Sequence, residues 1–114
     1  MIRDTIKNHS DFAMGENDPV AKSAFFLVRA KKAKIQGDAR YGLIVTKKTF
    51  KHAVDRNRAK RLLRDWIAFN EGLMRDDWDY VFIGRRDILN ADRTTGRTAM
   101  KKALIFLRKQ EIDE

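Results

Sequence analysis

Arg56, Asn57, Arg58, Lys60, Arg61 and Arg64 follow one another closely, with Lys47, Lys48 and Lys51 a short way upstream. An arginine presents a planar fork that grips phosphate oxygens in two places and stacks on unpaired bases, while a lysine supplies a mobile point charge. Asn57 adds both a donor and an acceptor. The chemistry this set can do is recognition of a polyanion. Bond making would need groups that activate water, such as paired carboxylates around a metal or a histidine beside an acid. Asp76, Asp77 and Asp79 form an acidic cluster, and it reads as a solvated turn next to a strand. His9 and His52 are far apart in sequence and lack obvious partners. No catalytic residue and no protein-held metal is assigned.

The elements that position these side chains follow from patterning. The chain has 114 residues, 43% of them hydrophobic, which suits one domain with one modest core. A single domain over 1–114 is expected. The opening residues carry Ile2, Ile6 and Phe12 among polar ones, a weak helical pattern that stops before Gly15 and Pro19. Ser23 to Lys31 and Arg40 to Thr46, separated by the turn-like Gly37-Asp38, read as paired strands. Ala53 to Glu71 is the longest helical pattern, with Gly72 where a left-handed C-terminal cap would stand. Trp78 to Gly84 reads as a buried strand. Asn90 to Thr95 offers N-caps for a last helix with Met100, Ala103, Leu104 and Leu107 on one face. The order is helix, two strands, helix, strand, helix, with room for one further short strand, and it argues an α+β sandwich.

At roughly 100 degrees per residue, Ala59, Leu62, Leu63, Trp66, Ile67 and Phe69 gather into the core arc of the central helix. Arg56, Asn57, Lys60, Arg61 and Arg64 fall on the neighbouring arc, with Arg58 displaced toward its far edge. A solvated helix interleaves opposite charges at i,i+4, because like charges there cost a few tenths of a kcal/mol per pair. Arg56, Lys60 and Arg64 instead form a same-sign ladder. A solvated charged face is the common explanation of charge runs, but this one has no local compensation, so phosphate binding accounts for it better. Lys47, Lys48, Lys51 and His52 continue the positive surface around the helix N-terminus, where backbone amides also meet an anion.

Net charge agrees with this. Lys and Arg number 25 against 16 Asp and Glu, a formal charge of +9, and nucleic acid is the leading partner class for such a balance. A membrane surface is the competing class, but neither a spanning apolar run nor a convincing lipid-facing helix is found. The mixed N-terminus resembles neither a signal nor a transit peptide, which makes a cytoplasmic location the expectation. With no cysteine, a disulfide framework and the common zinc sites are excluded.

Gly42-Leu43-Ile44-Val45-Thr46-Lys47-Lys48, a short spacer, then Ala53-Val54-Asp55-Arg56-Asn57-Arg58-Ala59-Lys60-Arg61-Leu62-Leu63-Arg64 resembles the signature of the bacterial ribonuclease P protein family. In that family a G-L-x-V-x-K-K strand end leads into an R-N-R-x-K-R helix. Weaker agreement reaches Asp11-Phe12, Phe25 and Leu27, Asp79 to Arg85 and the last helix, so nearly the whole chain is covered. The resemblance implies an αβββαβα two-layer sandwich with a left-handed βαβ crossover. It also implies partnership with the catalytic RNA of ribonuclease P and with precursor tRNA, whose 5′ leader the holoenzyme removes by hydrolysis of one phosphodiester. The RNA and its Mg²⁺ would do the chemistry, with none of the metal bound by the protein alone. Arg56, Asn57, Arg58, Lys60, Arg61 and Arg64, with Lys47, Lys48 and Lys51, would contact the RNA subunit. A cleft between first helix and sheet would hold the leader, with Phe12, and further Phe26 and Val28, as its lining. The chain departs from the pattern at Glu16 and Val28, where family members often carry aromatics, and Phe12, Phe26 and Val28 each have a plain core reading as well.

Two rivals share the charge and the missing active site. A ribosomal or other structural RNA-binding protein is separated from the family only by the K-K to R-N-R-x-K-R arrangement. A DNA-binding protein would need a recognition helix beside a tight turn, and here the helix follows a lysine-rich segment off a strand. Neither DNA nor a membrane is expected as a partner.

Overall fold

The structure is a computed structural model that describes residues 4–5, 18–33 and 40–110. The helix expected in the opening residues, with His9, Phe12 and Glu16, and the Gly37-Asp38 turn lie outside the described residues. The order that is described is β1 (Asp4–Thr5), β2 (Val20–Lys22), β3 (Phe26–Lys32), β4 (Arg40–Ile44), α1 (Ala53–Phe69), β5 (Trp78–Gly84) and α2 (Arg93–Arg108). Single 3-10 turns at Glu71–Leu73 and Arg86–Asn90 flank β5. The α+β class is as expected. Two short strands supplement the pattern: β2 fills the room left for a further strand, and β1 occupies two residues at the start of the segment read as helical.

The strands form one sheet in the order β1-β4-β5-β3-β2. β3 and β5 pair antiparallel from Phe26 opposite Gly84 to Lys32 opposite Trp78, whereas β4 and β5 are parallel neighbours. A parallel pair needs a crossover, and α1 supplies it.

Side chains alternate across a strand, so register decides what is buried where. On one face Phe26, Val28, Ala30, Trp78, Tyr80 and Phe82 join Leu63, Trp66 and Ile67 of α1 and Met100, Leu104 and Leu107 of α2 in one core. The other face carries Leu27, Arg29 and Lys31 from β3 and Asp79, Val81 and Ile83 from β5. Val81 is buried yet stands outside that core cluster, as its position on the second face requires. Asp79 corrects the expectation of a solvated acidic turn. It is fully buried in β5 and accepts hydrogen bonds from the backbone N–H of Arg40 at 2.6 Å and from its guanidinium at 3.3 Å. The buried carboxylate thereby ties the start of β4 to β5.

The two helices close over the sheet through a glycine. A Cβ added at Gly96 would fall on the indole of Trp66, which has no exposed surface, so this contact admits hydrogen alone. α1 stops at Asn70, two residues before the end expected from Gly72. The Asn70 amide donates to the carbonyls of Trp66 at 2.9 Å and Arg97 at 3.0 Å, ending one helix and clamping it to the other. Gly72 sits inside the following 3-10 turn rather than capping the helix. α2 starts at Asp92, whose carboxylate accepts the Thr95 N–H at 2.7 Å, the usual N-cap bond. That bond holds the Asp92 carboxyl below its ordinary pKa.

Candidate nucleic-acid interface

The lysine-bearing segment is a braced turn. Thr46 accepts the Thr49 N–H on its hydroxyl at 3.2 Å and the Phe50 N–H on its carbonyl at 2.9 Å. Phe50 is buried and lies, with Val45 and Leu63, against Gly84 of β5. An apolar plug thus fixes the turn and leaves Lys47, Lys48, Lys51 and His52 exposed. His52 is the N-cap of α1 in extended conformation, and no side chain caps the first turn. The helix presents its N-terminal amides and its positive dipole end among three lysines.

Arg56 plays a different part from the other cations. Its guanidinium donates to the carbonyls of Phe50 at 2.9 Å and Lys51 at 3.2 Å, fastening the turn to the helix. Asn57, Arg58, Arg61 and Arg64 are exposed and Lys60 is half-buried. Arg61 and Arg64 flank Asn57 on the helical projection, while Arg58 sits about 60 degrees beyond Arg61. Two acids belong to α1, Asp55 and Asp65. Asp65 takes two hydrogen bonds from the Arg97 guanidinium of α2, at 3.0 and 3.2 Å, and chiefly those bonds hold its carboxyl below the ordinary value against the opposing effect of burial. Among the described residues, no ion pair within 4 Å involves Lys47, Lys48, Lys51, Arg58, Lys60, Arg61 or Arg64. Asp65, beside Arg64, is turned to α2, and Asp55 is in no ion pair within 4 Å among the described residues, so the outer arginines stay unpaired.

Other expected positions change. Phe69 was placed in the core arc of α1 but is 56% exposed, with the Arg97 guanidinium 4.1 Å above its ring. It lies about 20 degrees past Leu62, outside the arc centred on Ala59 and Leu63. Phe26 and Val28, named for a leader cleft, have no exposed surface and pack under the helices, Phe26 with its ring 6.2 Å from that of Trp66. They line no cleft. Their neighbours Leu27 and Arg29 face the opposite side of the sheet, and the Arg29 Nε is buried there without a hydrogen-bond partner. Asp77, from the acidic cluster, is engaged by Arg75 at 2.9 Å, and that hydrogen bond is the main cause of its lowered pKa. Among the described residues no three of His, Cys, Asp or Glu come together in a way that could hold a metal ion, and no helix is long and apolar enough to cross a membrane. Sequence reasoning passed over α2, although a signal was present: no acid stands between Arg93 and Gln110.

Comparisons with known proteins agree with one another. The Ribonuclease P family profile matches residues 3–108. The ribonuclease P protein component of a Marinomonas species is 35% identical over 107 residues, covering 92% of this chain and 80% of the relative. That of Chromobacterium violaceum is 39% identical over 80 residues, covering 69% and 64%. The ribonuclease P protein from Thermotoga maritima superposes with a TM-score of 0.74 at 24% identity over 91% of this chain and 97% of that one. The Staphylococcus aureus protein gives 0.71 at 24% identity over 88% and 91%. At that identity the structural likeness speaks to the fold.

Proposed function

Because the chain belongs to the ribonuclease P protein family, and so to an endoribonuclease complex of tRNA processing with an RNA partner, we propose that it grips the catalytic RNA through the outer face of α1 and the lysine turn before it. One observation carries this reading: an exposed cationic surface in no ion pair among the described residues, with Asp65 of the same helix turned away toward Arg97. Arg61 and Arg64 would take phosphate oxygens with their forks, Asn57 would hydrogen-bond between them, and Arg58 would reach a phosphate on the adjoining flank. Lys47, Lys48 and Lys51 would extend the contact to the N-terminal amides of α1. Arg56 acts one step back and holds the turn at its angle to the helix. The described residues of this face bring no carboxylate to a divalent cation, so Mg²⁺ would be ligated by RNA and not by the protein.

The 5′ leader of precursor tRNA would lie across the second sheet face, by Leu27 and Arg29, in place of the buried Phe26 and Val28. Two cations of β3 on that face, Arg29 and Lys31, support this. Cleavage of precursor tRNA at low Mg²⁺ and near-physiological salt tests the role as a whole. The protein should stimulate cleavage when a bacterial ribonuclease P RNA is present and do nothing without it. Cleavage by the protein alone would overturn the proposal.

A further inference from the structure

The second helix has an outer surface that the contact proposed for α1 leaves unused. From Arg93 to Gln110 the sequence holds six Lys or Arg and no acid. Among the described residues only Arg97 of these six is in an ion pair. Thr94, Thr98, Lys101 and Lys102 stand on the exposed side of α2, away from its buried Gly96, Met100, Ala103, Leu104 and Leu107.

A groove runs along each flank of this ridge. The one between β2 and α2 is about 770 Å³ and is lined by Ala21, Lys22, Thr95, Ala99, Lys102 and Phe106, among others. The one between the end of α1 and α2 is about 580 Å³, and includes Phe69, Leu73, Arg97 and Lys101. Thr94 and Thr98 border both, and among the described residues neither lining contains a carboxylate. Three large apolar side chains are well exposed among the described residues, and the two aromatic ones, Phe69 at 56% and Phe106 at 51%, are the aromatics of these grooves. Each groove therefore offers an exposed ring, covered on one face by Arg97 in the case of Phe69, with flanking cations and hydroxyl groups.

That combination selects among occupants. An apolar helix would leave the lysines and arginines unanswered, and an anionic lipid surface would answer them but offers no flat ring to stack on the aromatics. Duplex RNA has no free base face for the rings. Single-stranded RNA answers every group: bases stack on exposed aromatics whatever their sequence, and phosphates meet the cations. α1 and α2 lie side by side on the same face of the sheet, so an RNA over the outer face of α1 passes next over α2.

We infer that α2 is a second RNA surface, a ridge with two stacking grooves that holds an unpaired segment of the same RNA subunit, with bases on Phe106 and Phe69 and phosphates on Lys22, Lys101 and Lys102. Naming the RNA subunit as the source rests on the reading of α1; the affinity for single-stranded RNA does not.

The first test uses labelled oligouridylate of about eight nucleotides, within the ~4–16 range of single-strand sites, binding to the full chain. Phe106→Ala and Lys102→Gln should each weaken binding about five-fold or more, the loss of one stacked base or one phosphate contact. Both side chains are exposed, and an unchanged melting temperature confirms that the variants fold. Unchanged affinity in both would overturn the inference. So would dimerisation of the free chain that Phe106→Ala abolishes, because the groove would then belong to a second copy. The second test exploits the absence of cysteine: Thr98→Cys gives a unique attachment point for an iron chelate in the holoenzyme. Strand scission at unpaired nucleotides of the RNA subunit is expected, and scission confined to the leader would contradict the source assigned. If Arg61→Ala with Arg64→Ala leaves RNA-subunit binding intact while the Phe106 and Lys102 variants still lose oligouridylate, the reading of α1 fails and the platform stands.

Discussion

The two sides of α1 treat charge in opposite ways. On the side facing α2, Asp65 is bound twice by Arg97, Arg97 lies over Phe69, and Asn70 spans both helices. On the outer side Asn57, Arg61 and Arg64 have no acid in reach. Both sides belong to one helix, and the contrast is one of partnership: at the seam an acid answers the arginine, whereas the outer cations have none. A fold secures itself with satisfied groups, and unsatisfied like charges are tolerated where an outside polyanion completes them. The seam should govern stability and the outer face RNA affinity.

The strongest way to break this division is at the seam. Gly96→Ala would drive a methyl group into the buried Trp66 ring and should cost about 1–3 kcal/mol or more, as overpacking does, seen as a lower midpoint in urea unfolding. Unaltered stability would mean that the helices are not held at this distance.

Arg56→Ala sharpens the comparison, because Arg56 is a cation of the basic run whose hydrogen bonds are spent on the turn before α1. Loss of its bonds to Phe50 and Lys51 should cost about 1–2 kcal/mol of stability and also reduce RNA affinity. Arg61→Ala should reduce affinity alone. Equal melting temperatures for the two variants would place Arg56 with the outer face.

Asp92→Ala removes the α2 cap and should lower stability by about 1 kcal/mol with little change at the α1 interface. Calorimetry measures the first quantity and RNA titration the second.

The smallest effect concerns acid. The Asp65 carboxyl lies below its ordinary value of 3.8 in the folded protein. A carboxyl lowered by folding contributes stability above its unfolded pKa and loses it as pH falls through the folded one. The Asp65–Arg97 contribution should therefore be complete near neutrality and fade below about 3.8. Asp65→Asn should flatten that part of the acid limb in a pH-resolved unfolding series. An unchanged limb would show that solvent screens the pair fully.

Much of this was legible in residue order. Trp78 to Gly84 stands out because aromatic and β-branched residues are packed between a turn and a glycine, and β5 has those bounds. The start of α1 at Ala53 follows from the apolar period, and its basic face from the same projection. What escaped depends on long-range contacts. Phe25 to Val28 is apolar on both sides of the strand, so period alone could not say which residues face the helices; pairing with β5 decides it. Asp79 looked like part of a turn because its partner Arg40 is 39 residues away in the chain. Phe69 looked buried because hydrophobicity was counted without the angular drift that carries it toward α2. The open aromatic in each α2 groove could not be separated from a core residue without knowing what lies beside it.

Contact between the outer face of α1 and phosphate is measured directly by the salt dependence of binding to ribonuclease P RNA. The logarithm of affinity falls with the logarithm of salt by about 0.7–0.9 for each phosphate neutralised. Arg58→Ala, Arg61→Ala and Arg64→Ala combined should lower that slope by about two units or more and weaken binding, with the melting temperature unchanged or slightly higher because self-repulsion is relieved. A slope identical to that of the unaltered chain would remove this face from the interface.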